Sequence, residues 1–430
     1  MPIPRGSKTL VASLPIVAAL ALGLMSPQPS QAIPAFARKY NVKCYSCHLI
    51  PPVLNKTGYM FKRLGYRMLP DNMERGKPAP RIAELDKDLR FSLTNSVALV
   101  AEGSFTLEKI KGEETSSTSS FNFDKALLFL GGSIPETNFS YFAEYAFAEH
   151  GENMLHQAVF GYTGGRANSS FFGKAGEMHL QESEGTRAVS MFSLFDESSI
   201  LLTNTSPVNF SLDQHPMGVN VGYTWASPFF KQVFGLSAKV TNGVNADGSE
   251  ILFDSKKNSK DFWFDADYWF GPDGGVSFIT YYGRKNQIQN QGDPDQFSFN
   301  PNLRRYGIFG NYLFFDKLDV QGGYLRSRDD WKEAATAATT GFTSNGYRAE
   351  VDYYIRRGFA VMGRYDRLNQ KIAQGDTTHV EVWGVGIQRA LTAMGNVVAR
   401  GAYTQQRATD PVTGAVSTDK LFKVDLRLMW

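Results

Sequence analysis

The sequence predicts a mainly β fold, a transmembrane barrel of about sixteen antiparallel strands preceded by a small α-helical segment. Three observations support this fold. From about residue 88 onward, segments of roughly ten residues alternate between apolar and charged side chains, which is the period of a half-buried strand. No run of 18 apolar residues follows residue 32, so spanning helices are excluded. Tight and long connections alternate between the segments, as in outer-membrane barrels.

The clearest alternating segment is the last one in the sequence. One face carries Phe422, Val424, Leu426, Leu428 and Trp430, and the other carries Lys423, Asp425 and Arg427. The same pattern recurs at 261–270 and at 347–356. A final aromatic residue at the close of such a strand looks like the C-terminal assembly signal of bacterial outer-membrane barrels. We therefore prefer a membrane barrel, whose interfaces are rich in aromatic residues, to the alternative of a soluble β-protein.

The connections predict which end of each strand faces which side of the membrane. Tight turns are predicted near 135–136, 165–166, 227–228, 272–273, 316–317, 357–358 and 394–395. Longer connections are predicted near 105–120, 149–153, 178–215, 242–260, 286–302, 328–343, 369–378 and 407–418. In outer-membrane barrels the short turns are periplasmic and the long loops are extracellular. An even number of strands then places both barrel ends on the periplasmic side.

The first residues predict export from the cytoplasm. Arg5 and Lys8 precede an apolar run, Leu10–Leu24, and Ser30-Gln31-Ala32 has the small-x-small pattern of a cleavage site. The alternative, a membrane anchor, is disfavoured because the run is short and contains Pro15. We therefore predict a signal peptide at 1–32, an N-terminal segment at 33–80 and a barrel at 81–430, with residues 69–87 as linker.

Cys44 and Cys47, the only two cysteines of the chain, stand with His48 in a Cys-x-x-Cys-His sequence. This pattern is typical of c-type haem attachment, in which the thiols form thioethers and the histidine ligates the iron. A redox disulfide or half of a zinc site are the alternatives, but no other Cys or His lies between residues 1 and 149. We predict one covalent haem c.

The second axial ligand of the haem iron is less determined. Met68 follows the predicted helix and precedes Leu69-Pro70, where the chain can turn back, so we prefer it; Met60 is the alternative, and Met73 is also available. Methionine opposite histidine raises the reduction potential. These methionines could instead only pack against the porphyrin. The other histidines could ligate only if the later chain folds around the haem; they are His150, His156, His179, His215 and His379.

The charge distribution predicts where the N-terminal segment lies. Residues 33–68 contain seven Lys and Arg residues and no acidic residue, whereas the whole chain has a net charge of only +3. The remainder is therefore acidic. A barrel of about sixteen strands has a lumen wide enough for a channel or a plug. We expect the cationic segment to sit in the lumen against Asp and Glu side chains, unless these acids lie mostly on outer loops.

The residues around the motif resemble the N-terminus of a known family, the fused monohaem cytochrome–porins of iron-oxidising bacteria. The likeness rests on Pro34-Ala35-Phe36-Ala37-Arg38, the motif itself, Pro52, Leu54, Asn55, Gly58, Phe61, Gly65-Tyr66 and Met68. The resemblance implies a haem on a short N-terminal domain and a barrel of about sixteen strands in the outer membrane. It also implies uptake of electrons from dissolved Fe(II) at the cell surface.

The resemblance thus implies an electron-transfer protein, an Fe(II):cytochrome oxidoreductase, whose partners are outer-membrane lipid, extracellular Fe(II) and a periplasmic cytochrome; no nucleic acid is expected. Carboxylates and imidazoles suit Fe(II). The candidates in the longest loop are His179, Glu182, Glu184, Asp196 and Glu197, although solvated loop charges are the simpler interpretation. Two alternatives remain: an electron conduit with another donor, and a porin in which haem only stabilises a plug.

Overall fold

A computed structural model describes most of the chain after the predicted signal peptide. The described residues are 35–69, 78–89, 96–112, 115–149, 152–179, 212, 215–227, 231–242, 260–271, 273–284, 302–332, 339–372, 377–393, 395–409 and 415–429. None of the helices in these ranges is both long enough and apolar enough to cross a membrane. Trp430, part of the predicted assembly signal, lies outside the described residues.

The N-terminal segment has little regular structure of its own. It contains the helices α1 (Ala35–Tyr40) and α2 (Lys56–Arg63), a 3₁₀ turn at Cys44–Ser46, and a small hairpin of β1 (His48–Ile50) and β2 (Val53–Leu54). Asn55 caps α2, because its side-chain oxygen accepts the backbone N–H of Gly58 at 3.0 Å. The predicted short helix with an Asn55 cap is confirmed.

The described part of the later chain forms a closed barrel of sixteen antiparallel strands, β3–β18. In chain order they are Val97–Lys111, Thr115–Ser133, Phe139–Glu149, Glu152–Arg166, Ser169–Glu177, Met217–Ala226, Val233–Thr241, Asp261–Phe270, Gly274–Arg284, Asn302–Phe314, Leu318–Lys332, Thr339–Arg356, Phe359–Ile372, Thr377–Ala390, Val397–Thr409 and Val416–Met429. β18 pairs with β3 and closes the barrel, so no strand edge is left unpaired. The predicted strand number and antiparallel order are confirmed.

The exposed and buried faces of the strands are inverted relative to a soluble protein. On β10, Phe262 and Phe264 are 51% and 39% exposed, whereas Asp265 and Asp267 are 0% and 2% exposed. On β14, Val351 points outward in the same way. Apolar side chains thus face outward and carboxylates face inward, which suits a barrel surrounded by lipid and not a soluble β-protein.

Short turns gather at one end of the barrel, here called the short-turn end. They are 134–138, 167–168, 227–232, 271–273, 315–317, 357–358 and 391–396. These agree with the predicted tight turns to within a few residues; the largest difference is at 165–166, which belongs to the end of β6. The opposite end, here called the long-loop end, carries the long connections at 178–216, 242–260 and 285–301.

Five of the predicted long connections are too long, because strand pairing continues into them. Strands β3 and β4 are joined only by 112–114, although a loop was predicted over 105–120. The same correction applies at 149–153, 328–343, 369–378 and 407–418. The first nine residues of β4, from Thr115, are all exposed. Because neither face of this stretch is buried, its side chains need not alternate between apolar and polar. The backbone hydrogen bonds of the hairpin continue there nonetheless.

The lumen is lined by paired charges on the β12–β18 side. Arg305 donates two hydrogen bonds to Asp329, and both side chains are fully buried. Arg348 pairs with Glu350 at 2.7 Å. Further along the wall, Arg400 pairs with Asp425 at 2.8 Å. Such pairs offset the cost of burying charge, and removing one partner leaves the other uncompensated.

The N-terminal segment lies in the short-turn end of the barrel, and Ile33–Trp430 form one compact unit. Lys56 donates to the backbone carbonyls of two short turns, at Lys231 (3.1 Å) and Gly271 (3.0 Å). The side chain of Gln388 on β16 donates to the Pro51 carbonyl at 2.6 Å. The segment therefore reaches opposite sides of the barrel mouth.

The cations of the N-terminal segment are divided between two kinds of partner. Arg63 pairs with Asp267 on β10 and donates to Thr224 on β8, so the predicted contact with lumenal carboxylates holds for this residue. Arg67 pairs instead with Asp86 at 3.3 Å, just before the first barrel strand, and donates to carbonyls of the turn 134–138. The acids opposite the segment are therefore only partly in the barrel wall.

Candidate haem site and adjoining histidines

The two cysteines lie at either end of a tight turn. Cys44–Ser46 forms a single 3₁₀ turn, and the backbone N–H of Cys47 donates to the Cys44 carbonyl at 3.1 Å. Both thiols are free, and Cys44 is buried. Burial raises the pKa of Cys44 and raises that of Cys47 to about 11, so both groups are protonated thiols at neutral pH. A thiol is the form that adds to a vinyl group to give a thioether.

A hydrogen bond to the backbone fixes the tautomer and the orientation of the His48 ring. Its Nδ1 lies 3.0 Å from the Pro52 carbonyl oxygen, so Nδ1 carries the proton and donates it there. That assignment leaves the lone pair on Nε2, and this arrangement of a backbone carbonyl behind the ring is the usual support of a metal-bound histidine. Burial, which disfavours the charged imidazolium, lowers the pKa of His48 to about 4, so the ring is neutral at physiological pH.

The N-terminal end of helix α2 holds the backbone of the motif in place through hydrogen bonds and close packing. The backbone N–H of Asn55 donates to the Cys47 carbonyl at 2.9 Å, and its side-chain amide donates to the Ser46 carbonyl at 3.2 Å. Gly58 packs so closely against this loop that an added Cβ would overlap the Cys47 carbonyl oxygen. The cap of α2 and the small residue in its first turn therefore fix the positions of the thiols.

The structure separates the three candidate methionines. Met68 lies next to the motif, with its Sδ atom 4.0 Å from the Sγ atom of Cys47. Met60 is buried in an apolar cluster with Leu64 of its own segment and Trp269 of the barrel wall. Met73 lies outside the described residues. Met68 thus lies beside Cys47, whereas Met60 packs against the barrel wall, and the choice of Met68 as second iron ligand stays a prediction.

An aromatic cluster stands beside the site. Phe36 of α1 contacts both Phe61 and Tyr66, with ring centroids 5.0 and 5.2 Å apart. Tyr66 also stacks on Phe142 of β5, and the hydroxyl of Tyr40 donates to the Tyr66 carbonyl at 2.7 Å. These rings join the segment to the barrel wall and provide the apolar surroundings that a porphyrin ring requires.

The donor set therefore fits a covalent haem. It comprises two thiols on one turn, a neutral imidazole with a fixed tautomer, a thioether sulfur beside them, and aromatic surroundings. The sequence predicted each of these ligands, but the Pro52 hydrogen bond and the Asn55–Cys47 contact became visible only in the fold.

Three of the five remaining histidines come together in the lumen. The ring of His215 lies 5.2 Å from that of His156 and 4.0 Å from that of His179, between centroids. His379 stands apart on β16, where its ring contacts Asn369 at 2.7 Å. His150, Glu182, Glu184, Asp196 and Glu197 lie outside the described residues. No periodic pattern in the sequence predicts this grouping, because a β-bulge and two loop ends create it.

Comparison with known proteins identifies the fold. No protein-family model matches the sequence, and no curated protein matches it. The structure resembles OmpT of Vibrio cholerae, with a TM-score of 0.53 and 11% identity over 78% of this chain and 97% of OmpT. It also resembles an anion-selective porin from Comamonas acidovorans, with a TM-score of 0.53 and 11% identity over 78% of this chain and 99% of that porin.

A third similar structure is the outer membrane channel DcaP of Acinetobacter baumannii, with a TM-score of 0.50 and 8% identity, covering 79% of this chain and 99% of DcaP. At identities this low, the likeness establishes the fold alone. The barrel has the fold of outer-membrane porins.

Proposed function

We propose that the chain is an outer-membrane c-type cytochrome of the fused cytochrome–porin type, which carries electrons from extracellular Fe(II) to a periplasmic cytochrome. The observation that carries the proposal is the position of Cys44, Cys47, His48 and Met68, which come together in a segment lodged in the mouth of a porin-fold barrel. A passive channel does not require a Cys-x-x-Cys-His motif, and a soluble electron carrier does not require a barrel.

The proposed topology follows from the barrel. Residues 1–32 direct export and are removed, residues 33–80 form the cytochrome domain, and residues 81–430 form the barrel. Short turns are periplasmic in outer-membrane barrels, so the short-turn end and the N-terminal segment lodged in it face the periplasm. Long loops then face the exterior, where a dissolved metal ion arrives.

The N-terminal segment and the barrel wall have different roles in the proposed electron transfer. A haem bound by Cys44, Cys47, His48 and Met68 would supply a one-electron carrier, and its methionine ligand would raise the reduction potential. Pro52 holds the His48 ring through Nδ1, and Asn55 holds the backbone of the motif. The barrel crosses an apolar band of about 25 Å, so a carrier inside it shortens the path between the two aqueous sides.

Two variants test the haem ligands. Cys47→Ser should remove one thioether and reduce haem that survives denaturing electrophoresis, while the barrel still folds. Met68→Ala should leave haem covalently bound but change the reduced absorbance spectrum and lower the midpoint potential. Met60→Ala is the matched control and should leave the spectrum unchanged. A normal spectrum in Met68→Ala with a changed one in Met60→Ala would exchange the two assignments.

The electron donor is tested by mixing the oxidised protein with Fe(II) under anoxic stopped flow. We expect the haem to become reduced by Fe(II). Reduction by another donor, but not by Fe(II), would retain the conduit and remove iron as its substrate.

The second candidate function is a porin-like channel in which haem stabilises a plug, and the shared porin fold favours it. Inward side chains such as Glu350 and Asp352 are fully buried, which argues against a wide aqueous pore at their level. Conductance in planar bilayers should therefore be small and should rise when residues 33–80 are deleted. Large conductance that the deletion leaves unchanged would favour an open channel.

A further inference from the structure

The three grouped histidines come from different parts of the barrel wall. His156 lies on β6, His179 follows the end of β7, and His215 precedes β8, so all three lie toward the long-loop end. His156 and His179 are 8% and 3% exposed. Histidine is seldom buried in groups without a partner that balances its polar atoms. The Nδ1 atom of His179 is buried and has no hydrogen-bond partner among the described residues.

A β-bulge turns His156 inward. On β6, Gln157 pairs with Glu144 of β5, whereas Leu155 pairs with Tyr145, so His156 is the extra residue between two consecutive pairs. Without the bulge, His156 and Gln157 would point to opposite faces; with it, both are buried. Bulges often re-aim a side chain beside a functional site, at the expense of one ladder interaction.

We propose that His156, His179 and His215, together with Glu144 or Glu177, bind one divalent transition-metal ion in the barrel lumen. With metal–nitrogen bonds of about 2.1 Å, imidazole centroids in a metal site lie roughly 4.5–5.2 Å from one another. The His156–His215 separation of 5.2 Å lies at the upper limit of this range, and the His179–His215 separation of 4.0 Å lies below it, so these two rings must move apart to share an ion. The spacing of the rings is thus close to what a shared ion requires.

The rings must still rotate to bind an ion. Among the described residues, no three His, Cys, Asp or Glu side chains already surround a common point, and His179 meets His215 edge to face. A cavity of about 20 Å³ beside His179 provides room for such a rotation, since a water-sized occupant needs about 10–15 Å³. Binding therefore selects new rotamers on an existing backbone arrangement.

Carboxylates supply the negative charge of the site. The Oε1 atom of Glu144 lies 3.4 Å from Nδ1 of His156, and Glu177 is close enough for its charge to act on His156. Two lysines, Lys62 and Lys239, lie close enough to His179 for their charges to act on it. Lys239 is itself balanced by Asp265. Lys174 also lines the cavity beside His179, so three lysines face three carboxylates in this region. Glu144 and Glu177, which lie near His156, are the groups that would balance a bound dication.

The ligand types restrict the ion. Imidazole with carboxylate suits Fe(II), Zn(II), Co(II) and Ni(II), and disfavours Mg(II) and Ca(II), which prefer oxygen ligands. The cavity beside His179 is also lined by Tyr66 of the N-terminal segment, so an ion bound there would adjoin the aromatic cluster of that segment. A role as the place where Fe(II) docks rests on the proposed function, whereas metal binding itself does not.

Zn(II) is the suitable probe, because it binds the same ligands and does not change the redox state of a haem. Calorimetric titration of the full-length protein in detergent should show one saturable site. The His179→Gln variant should weaken Zn(II) binding at least tenfold, and Glu144→Gln should weaken it by a smaller factor. His379→Gln is the matched control and should leave the affinity unchanged, since His379 lies near the same end and, among the described residues, its ring contacts Asn369 and no histidine.

Saturable binding that all variants share, or its absence in the wild type, would overturn the site. Heat-modifiable electrophoretic mobility of each variant shows whether the barrel has folded. If the His179→Gln variant does not fold, the Zn(II) affinity of the Glu144→Gln variant tests the site instead. A separate assay compares haem reduction by Fe(II) and by dithionite. Zn(II) binding without reduction by Fe(II) would uphold the metal site and overturn the proposed donor; slower reduction by Fe(II) alone in His179→Gln would link the two.

Discussion

The N-terminal segment and the barrel obtain their order in different ways. Each barrel strand has two hydrogen-bonded neighbours, and the ring is closed through β18 and β3. The described part of the segment has two short helices, a 3₁₀ turn and a hairpin of two short strands. Its buried residues, such as Tyr59 and Ile50, pack in clusters with barrel residues. The barrel is therefore self-sufficient, whereas the segment depends on the inner wall of the barrel.

The two regions also differ in the use of charge. On the β12–β18 side of the lumen, buried arginines are paired with carboxylates of neighbouring strands or of the same strand. At the other side, the N-terminal segment supplies Arg63 to a carboxylate of the wall. The first arrangement stabilises the barrel alone, and the second ties the segment to it. Four predictions separate these contributions.

The largest expected effect comes from the ion pair that joins the two regions. Arg63→Leu leaves Asp267 buried without its guanidinium partner and should cost about 3–5 kcal/mol of the free energy of docking the segment. Limited proteolysis should then cleave the segment while the barrel resists. Lys43→Leu, which removes an exposed cation of the same segment, should have little effect. Equal protease resistance in both variants would show that Arg63 does not hold the segment.

The outer face of the barrel should respond next. Phe264→Arg places a charge against lipid near the middle of β10 and should lower the free energy of barrel folding by about 2–4 kcal/mol. Refolding into lipid vesicles measures this change. Phe315→Arg lies in a short turn at the end of the barrel and should be tolerated. If the two variants were equally stable, the outer face of β10 would not contact the apolar band.

The close contact behind the haem motif should give a smaller effect. Gly58→Ala forces α2 away from the Cys47 carbonyl and should cost about 1–3 kcal/mol of segment stability, as overpacking does. The measurement is the yield of covalent haem together with its absorbance spectrum. Gly112→Ala is the control, because no atom of the described residues, apart from its chain neighbours, lies within 4 Å of the added Cβ. A normal haem yield in Gly58→Ala would mean that α2 moves freely.

The smallest expected effect concerns the cap of α2. Asn55→Ala removes the acceptor for Gly58 and should cost about 1 kcal/mol. Asn55→Asp keeps the capping oxygen but loses the amide that donates to Ser46. Thermal loss of the haem spectrum in the two variants separates capping from support of the motif. If Asp restores the midpoint temperature completely, only capping matters.

Much of the fold could be predicted from the sequence because each strand must present apolar side chains to lipid and polar ones to the lumen. This requirement produces a period-two pattern in β10, β14 and β18. It also predicts that Asp265 and Asp267 face the lumen, where both are buried. The pattern fails where neither face is buried, as in the first half of β4, and the predicted loops were therefore too long. The proposed haem ligands Cys44, Cys47 and His48 form a pattern that can be recognised in the sequence because the three residues lie within five positions.

The sequence by itself determined the barrel, its strand number and the Cys-x-x-Cys-His motif, because each of these depends on short-range spacing. Only the tertiary structure decided which methionine lies beside Cys47, that Arg63 meets Asp267, and that His156, His179 and His215 share one part of the lumen. These partners are separated by tens to hundreds of residues. Such contacts depend on barrel closure and on a one-residue bulge, and neither leaves a local signature in the chain.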